Sequence, residues 1–176
     1  MYKPMTIGTT GVLAISGFSG SGKTRLTRTL TGELSIRGIR VVALKSTQDD
    51  VVPEKEGSDT AQFHQAGAVG TVLIGPDGIA VRGDDLSLDR VLRGFVVLFD
   101  SPDLILVEGF KDTPLPRIEV LREQDTRSHY IGSPRPPLLV VARNNPQLIA
   151  VPEGVPVVSG ENLHQVVDLV LKYLGR

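Results

Sequence analysis

Short apolar runs alternate with amphipathic stretches along the chain, and the order of the two sets the expected fold. Residues 12–16 form an apolar run between Gly11 and Gly17, the pattern of a strand buried on both faces of a parallel sheet. From Lys23 the period changes: Leu26, Leu30 and Leu34 recur every four residues, and Gly38 follows where a helix C-cap is expected. Residues 39–44 are a second β-branched run, so 12–44 reads as a strand, loop, helix and strand with a right-handed crossover. Residues 1–10 read as a loose lead-in.

Residues 51–58 hold Pro53, Glu54, Lys55, Glu56 and Gly57 and read as a mobile loop. Ser58 or Asp59 can cap a helix reaching about residue 66. Two strand-like runs, 69–74 and 79–82, flank Pro76-Asp77-Gly78, which predicts an antiparallel hairpin. Ser87 or Asp89 opens a helix carrying Leu88, Val91, Leu92 and Phe95, and residues 104–107 have the buried-strand pattern. Strands are also predicted around Ile118 and Val120 and over 138–142, with the polar, Pro-rich stretch 124–137 as an exposed connection. Leu163, Val166, Val167, Val170, Leu171 and Leu174 lie on one face of a final helix over 161–174. Strands alternating with helices, with no repeat and no interdomain linker, predict a single α/β domain over 1–176. Its expected architecture is three-layered: a mostly parallel sheet flanked by helices, with an inserted antiparallel β-hairpin.

The turn between the first run and the first helix carries the strongest chemical signal. Gly17-Phe18-Ser19-Gly20-Ser21-Gly22-Lys23-Thr24 matches G-x-x-x-x-G-K-[ST] in full, and it sits between a predicted strand and a predicted helix. Its glycines let main-chain N–H groups converge on a phosphate, and the helix N-terminus adds partial positive charge. Lys23 is a point cation for the β- and γ-phosphates, and Thr24 offers a hydroxyl to Mg²⁺. The candidate triphosphate-binding residues are Gly17, Ser19, Gly20, Ser21, Gly22, Lys23, Thr24 and Arg25. Glu108 ends the apolar run 104–107 and is the candidate second metal group beside Thr24. Asp49 and Asp50 follow the second strand, where a carboxylate can respond to the γ-phosphate. Lys23, Glu108 and Asp49 are the candidate catalytic residues.

Other polar features point less far. Asp59 reads as a cap and His64 as a surface or packing residue. His129 and His164 have no metal-like spacing with each other or with a carboxylate. The Asn-Lys-x-Asp sequence that selects guanine in many GTPases has no counterpart, because Arg143-Asn144-Asn145-Pro146 stands in its place. The purine is not readable from motif, and without an assignable glutamine or arginine finger rapid hydrolysis is not expected.

Composition narrows the setting. The 176 residues carry 19 Lys plus Arg against 20 Asp plus Glu, a formal charge of -1, so no basic field gathers nucleic acid. There are no cysteines, which removes disulfides, thiol catalysis and thiolate metal sites. No apolar run approaches the roughly 20 residues of a membrane span, and the N-terminal stretch lacks the apolar core of a secretory signal. The chain reads as a soluble, cytoplasmic protein.

Several further segments stand in order behind the glycine loop: Gly57-Ser58-Asp59-Thr60, Ala66-Gly67-Ala68, Val107-Glu108-Gly109-Phe110-Lys111 and Ile118-Glu119-Val120-Leu121-Arg122. With the loop they resemble the molybdopterin-guanine dinucleotide biosynthesis protein B family over about residues 12–122. That resemblance implies a homodimeric P-loop protein that binds GTP with Mg²⁺ and has weak GTPase activity. It also implies a partner, the guanylyltransferase that joins GMP to molybdopterin, with molybdopterin itself a further ligand. The family's loop residues fall on Gly20, Ser21, Gly22, Lys23 and Thr24, and its acidic strand-end residue on Glu108. Its Lys-His pair falls on Lys45 and Ser46, and a second family His is met by Asp49. Serine carries no proton near neutrality as histidine does, so this member departs from the family there. An ATP-dependent small-molecule kinase or ligase, or a nucleotide-controlled switch, are the alternatives on the same sheet.

Overall fold

The computed structural model describes residues 5–47, 57–84, 86–143 and 146–176. Its elements run β1 (Thr6–Ile7), β2 (Thr10–Ser16), α1 (Lys23–Ile36), β3 (Val41–Lys45), α2 (Asp59–Gln65), β4 (Gly70–Gly75) and β5 (Gly78–Gly83). They continue with α3 (Leu88–Leu98), β6 (Leu104–Glu108), β7 (Arg117–Val120), β8 (Leu139–Ala142), β9 (Val157–Ser159) and α4 (Leu163–Tyr173). By contact the chain divides into two compact units, Met1–Ser46 with Arg93–Arg176, and Thr47–Leu92.

The larger unit is built on a sheet of order β3-β6-β2-β7-β8-β9, parallel throughout, with β1 added antiparallel to the start of β2. Parallel strands need cover on both faces, and the burial matches: every residue of β2, β6, β7 and β8 is buried. On one face Leu13, Ile15, Leu104, Leu106, Ile118 and Leu139 pack with Leu26, Leu30 and Leu34 of α1 and with Val166, Val167 and Val170 of α4. The four-residue spacing of the α1 leucines is what places all three on that face. On the other face Leu121, Val140, Ala142 and Ile149 form a separate cluster. The expected mostly parallel sheet flanked by helices is the architecture observed.

The second unit carries the expected hairpin. β4 and β5 pair antiparallel with Gly75 opposite Gly78, so Pro76 and Asp77 form the connection. Before it, Ser58 caps α2, its hydroxyl accepting from the Ala61 N–H at 3.3 Å. The hairpin forms a two-stranded sheet of its own.

Two expectations needed correction. The lead-in is not loose: Thr6 and Ile7 pair with Gly11 and Thr10, and the Tyr173 hydroxyl accepts from the Met5 N–H (2.9 Å) while donating to the Val12 carbonyl (3.0 Å). Nor is the connection between β7 and β8 exposed throughout, since Ser128 is fully buried. β9 was not anticipated. Its short Val-Val-Ser run sits among prolines and glycines, and its pairing with β8 supplies what its length does not.

Candidate functional site

β2 ends at Ser16 in the middle of the sheet, and after six intervening residues α1 begins at Lys23. This is the place where a parallel sheet opens toward ligand, at the carboxyl ends of its strands. Gly17 is required here because its φ is +146° and a Cβ would collide with the Val120 carbonyl oxygen of the neighbouring β7. Gly22, at φ +98°, is the N-cap of α1; it provides no capping side chain, and no acidic residue occupies the first turn. The first N–H groups of α1 are therefore left for an anion, with the helix dipole aligned behind them.

Lys23 folds back across the loop, its Nζ donating to the Phe18 carbonyl at 2.9 Å. Burial lowers its pKa from the ordinary 10.5, with nearby Glu108 opposing the shift and Lys45 adding to it. Thr24 donates its hydroxyl to Glu108 Oε1 at 2.7 Å, and Lys45 Nζ stands 3.9 Å from the same oxygen. Glu108 is buried at the end of β6, opposite Ile15 of β2 in register. Sheet pairing thus delivers a carboxylate to the first turn of α1 from 84 residues away.

Among the described residues no group of three or more His, Cys, Asp or Glu could enclose a metal. Mg²⁺ in nucleotide sites asks for less: hard oxygen donors, one or two from protein and the rest from phosphates and water. The hydroxyl of Thr24 and the carboxylate of Glu108, already within hydrogen-bond distance, fit that donor set.

Of the residues expected to bind triphosphate, Gly17, Ser19, Gly20, Ser21, Gly22, Lys23 and Thr24 lie together on one loop and helix start, and Arg25 is exposed on the first turn. Ser19 and Gly20 form the exposed tip, whereas Ser21 is buried. Ser46 follows β3, and its N–H donates to the Glu108 carbonyl at 3.0 Å. Asp49 and Asp50 lie outside the described residues.

Sequence reasoning missed a buried polar network next to the loop. Glu119 of β7 is fully buried and accepts from Ser128 Oγ (2.5 Å) and the His129 N–H (2.8 Å), with His129 Nδ1 at 2.6 Å. Three partners satisfy a carboxylate whose burial alone would be costly. His129, which sequence spacing ties to no carboxylate, meets Phe18 edge-on at 4.5 Å between ring centres. Arg122 and Lys111 stand 4.9 and 5.9 Å from the same ring. Two β7 positions further back in sequence, Arg117 donates to the Lys111 and Thr113 carbonyls and to the Tyr130 hydroxyl. The Glu and Arg of the Ile-Glu-x-x-Arg segment brace the loop from behind, through His129 and Phe18. The signal available beforehand was a Glu in a buried-strand pattern, which needs partners wherever it occurs.

Residues 12–144 match the family model described as "Molybdopterin guanine dinucleotide synthesis protein B" (MobB). The chain belongs to the MobB family. Among curated relatives, a molybdopterin-guanine dinucleotide biosynthesis adapter protein of Escherichia coli is 34% identical over 148 residues, 82% of this chain and 79% of that one. One of the same description from Haemophilus influenzae is 36% identical over 119 residues, 66% of this chain and 66% of that relative's length. Solved MobB structures share the fold: a Bacillus stearothermophilus homologue superposes with a TM-score of 0.64 at 22% identity, covering 93% of this chain and 97% of its own. Bacillus subtilis MobB gives 0.64 at 23% identity, covering 92% and 96%. No helix among the described residues is long and apolar enough to cross a membrane.

Proposed function

We propose that this chain binds GTP with Mg²⁺ on the Gly17–Thr24 loop and serves as an adapter in molybdopterin-guanine dinucleotide biosynthesis, holding nucleotide for a guanylyltransferase partner. The observation that carries the reading is the convergence of an uncapped helix start, the Lys23 ammonium and the Thr24–Glu108 pair on one point beyond β2. The names of the curated relatives support the pathway.

In this reading the N–H groups from Ser19 to Thr24 bind the β-phosphate, and Lys23 leaves the Phe18 carbonyl to meet the β- and γ-oxygens. Thr24 and Glu108 would hold the metal, which would neutralise charge on the phosphates. Lys45 places a cation beside the Glu108 carboxylate. Ser46 contributes only its main chain to Glu108.

Glu108→Gln separates the metal role from a scaffolding one, because Gln retains an acceptor for Thr24. The expected result is a loss of the Mg²⁺-dependent gain in GTP affinity with metal-free affinity unchanged, measured by titration with and without Mg²⁺. Equal losses in both conditions would make Glu108 purely structural.

We also propose that the chain is a homodimer joined through its hairpin. Val72, Ile74, Ile79 and Val81 are cross-strand partners on one face of β4 and β5, and all are exposed. An isolated two-stranded sheet is marginal in water, and a contiguous apolar face of this kind asks for a partner.

A further inference from the structure

We propose that a second small-molecule site, for a phosphate monoester carried on an aromatic ring, lies on the face of the sheet opposite α1, between the segment that follows β6 and the connection from β7 to β8. Ile118 and Val120 of β7 pack into the cluster with the α1 and α4 side chains, so the alternating Arg117 and Glu119 point to the other face. Two adjoining hollows open there, of about 310 and 180 Å³, and Lys111, Asp112 and Tyr130 line both. They differ in chemistry. The larger adds Arg117 and Arg135, and the smaller adds the rings of Phe18 and His129.

Arg117 carries the argument. It is 4% exposed, and its guanidinium donates to the Lys111 and Thr113 carbonyls and to the Tyr130 hydroxyl while lying 4.6 Å from the centre of the Tyr130 ring. All of these partners are neutral, and among the described residues no carboxylate pairs with it. Buried cations are ordinarily compensated by a counter-charge. This one forms part of the wall of an open hollow together with two exposed cations, Lys111 and Arg135, against a single carboxylate, Asp112. The surplus positive charge selects an anion, and guanidinium and ammonium groups are the side chains that bind phosphate oxygens. Lys111 reaches the hollow through a turn in which Phe110 takes φ +51°, a left-handed conformation that costs energy outside glycine and is found where a site demands it.

The smaller hollow decides what the phosphate is carried on. Glu119 on its wall is already satisfied by Ser128 and His129, so it offers little to a polar ligand. Phe18 and His129, in edge contact at 4.5 Å between ring centres, and Tyr130 give it an aromatic lining. A flat ring packs well against such surfaces, with its phosphate directed to Arg117, Lys111 and Arg135 in the adjoining hollow. The site borders the glycine loop without belonging to it: Phe18 gives its ring to the hollow and its carbonyl to Lys23, at 2.9 Å. Phe18 therefore stands between this ligand and whatever the loop binds.

The test is titration of phenyl phosphate, inorganic phosphate and phenol into the full chain in excess GTP and Mg²⁺, which keeps the glycine loop filled, with binding followed and located by amide chemical shifts. Phenyl phosphate is expected to shift Lys111, Tyr130 and Arg135 and to bind roughly threefold or more tighter than inorganic phosphate, because of its ring. Phenol, without the charge, should bind more weakly still. In Arg135→Glu the phenyl phosphate affinity should fall by on the order of tenfold, with GTP affinity unchanged, which also shows that the variant folds. Phenyl phosphate that does not bind, that binds no tighter than inorganic phosphate or phenol, that shifts only residues 17–24, or that is indifferent to Arg135→Glu overturns the proposal. Failure of GTP to bind would overturn the loop reading alone, since the same titration still reports on the groove.

Discussion

At the scale of single residues, the site depends on Lys23 being cationic and poised. Burial partly desolvates the ammonium and holds its pKa below the ordinary lysine value. A bound triphosphate stabilises the charged form and raises that pKa. The sign follows: at a pH between the free and bound values, binding takes up a proton, so affinity falls as pH rises through the free value. Calorimetric titration at alkaline pH in buffers of different ionisation enthalpy should detect that uptake in the wild type and not in Lys23→Met. The loop, Lys23, Thr24 and Glu108 were all legible in the sequence, because a phosphate site built from main-chain amides leaves a local signature. The Glu119–His129 contact was not. It spans ten positions through an irregular segment, and only the burial of β7 brings Ser128 and His129 onto one carboxylate.

Among the elements, α4 does more than cover the sheet. Its last residue, Tyr173, is the hinge on which β1 is fastened, since its hydroxyl serves the Met5 N–H and the Val12 carbonyl at once. Burial raises its pKa above the ordinary 10, which keeps it a donor. Tyr173→Phe leaves the ring packed and removes both bonds, so a loss of about 1–3 kcal/mol is expected in urea unfolding. An unchanged midpoint would show that β1 contributes nothing to stability. The period of its leucines made α1 readable over its whole length, and capping residues marked α2. β1 and β9, with two and three residues, carry too few positions for any period and exist only through their pairing with β2 and β8.

For the molecule as a whole, the order β3-β6-β2-β7-β8-β9 puts the loop strand between the strand that ends in Glu108 and the strand that ends near Arg122. The loop, Glu108 and Arg122 are therefore gathered at the carboxyl ends of three neighbouring strands. The exposed Val72, Ile74, Ile79 and Val81 of the hairpin are the reason to propose it for self-association. Val72→Lys with Val81→Glu places opposite charges on a cross-strand pair, which spares the hairpin while making its apolar face polar. Sedimentation should show the wild type as a dimer and this variant as a monomer; a wild type that is monomeric at every concentration contradicts the homodimer.

The most direct measurement is isothermal titration of GTP with Mg²⁺ into the wild type and into Lys23→Ala, with circular dichroism to show that the fold is retained. One saturable site per chain is expected in the wild type, weakened by roughly 10- to 100-fold in the variant, as for loss of a charge-assisted contact. No binding to the wild type, or the same dissociation constant in both proteins, would contradict a phosphate site at the start of α1.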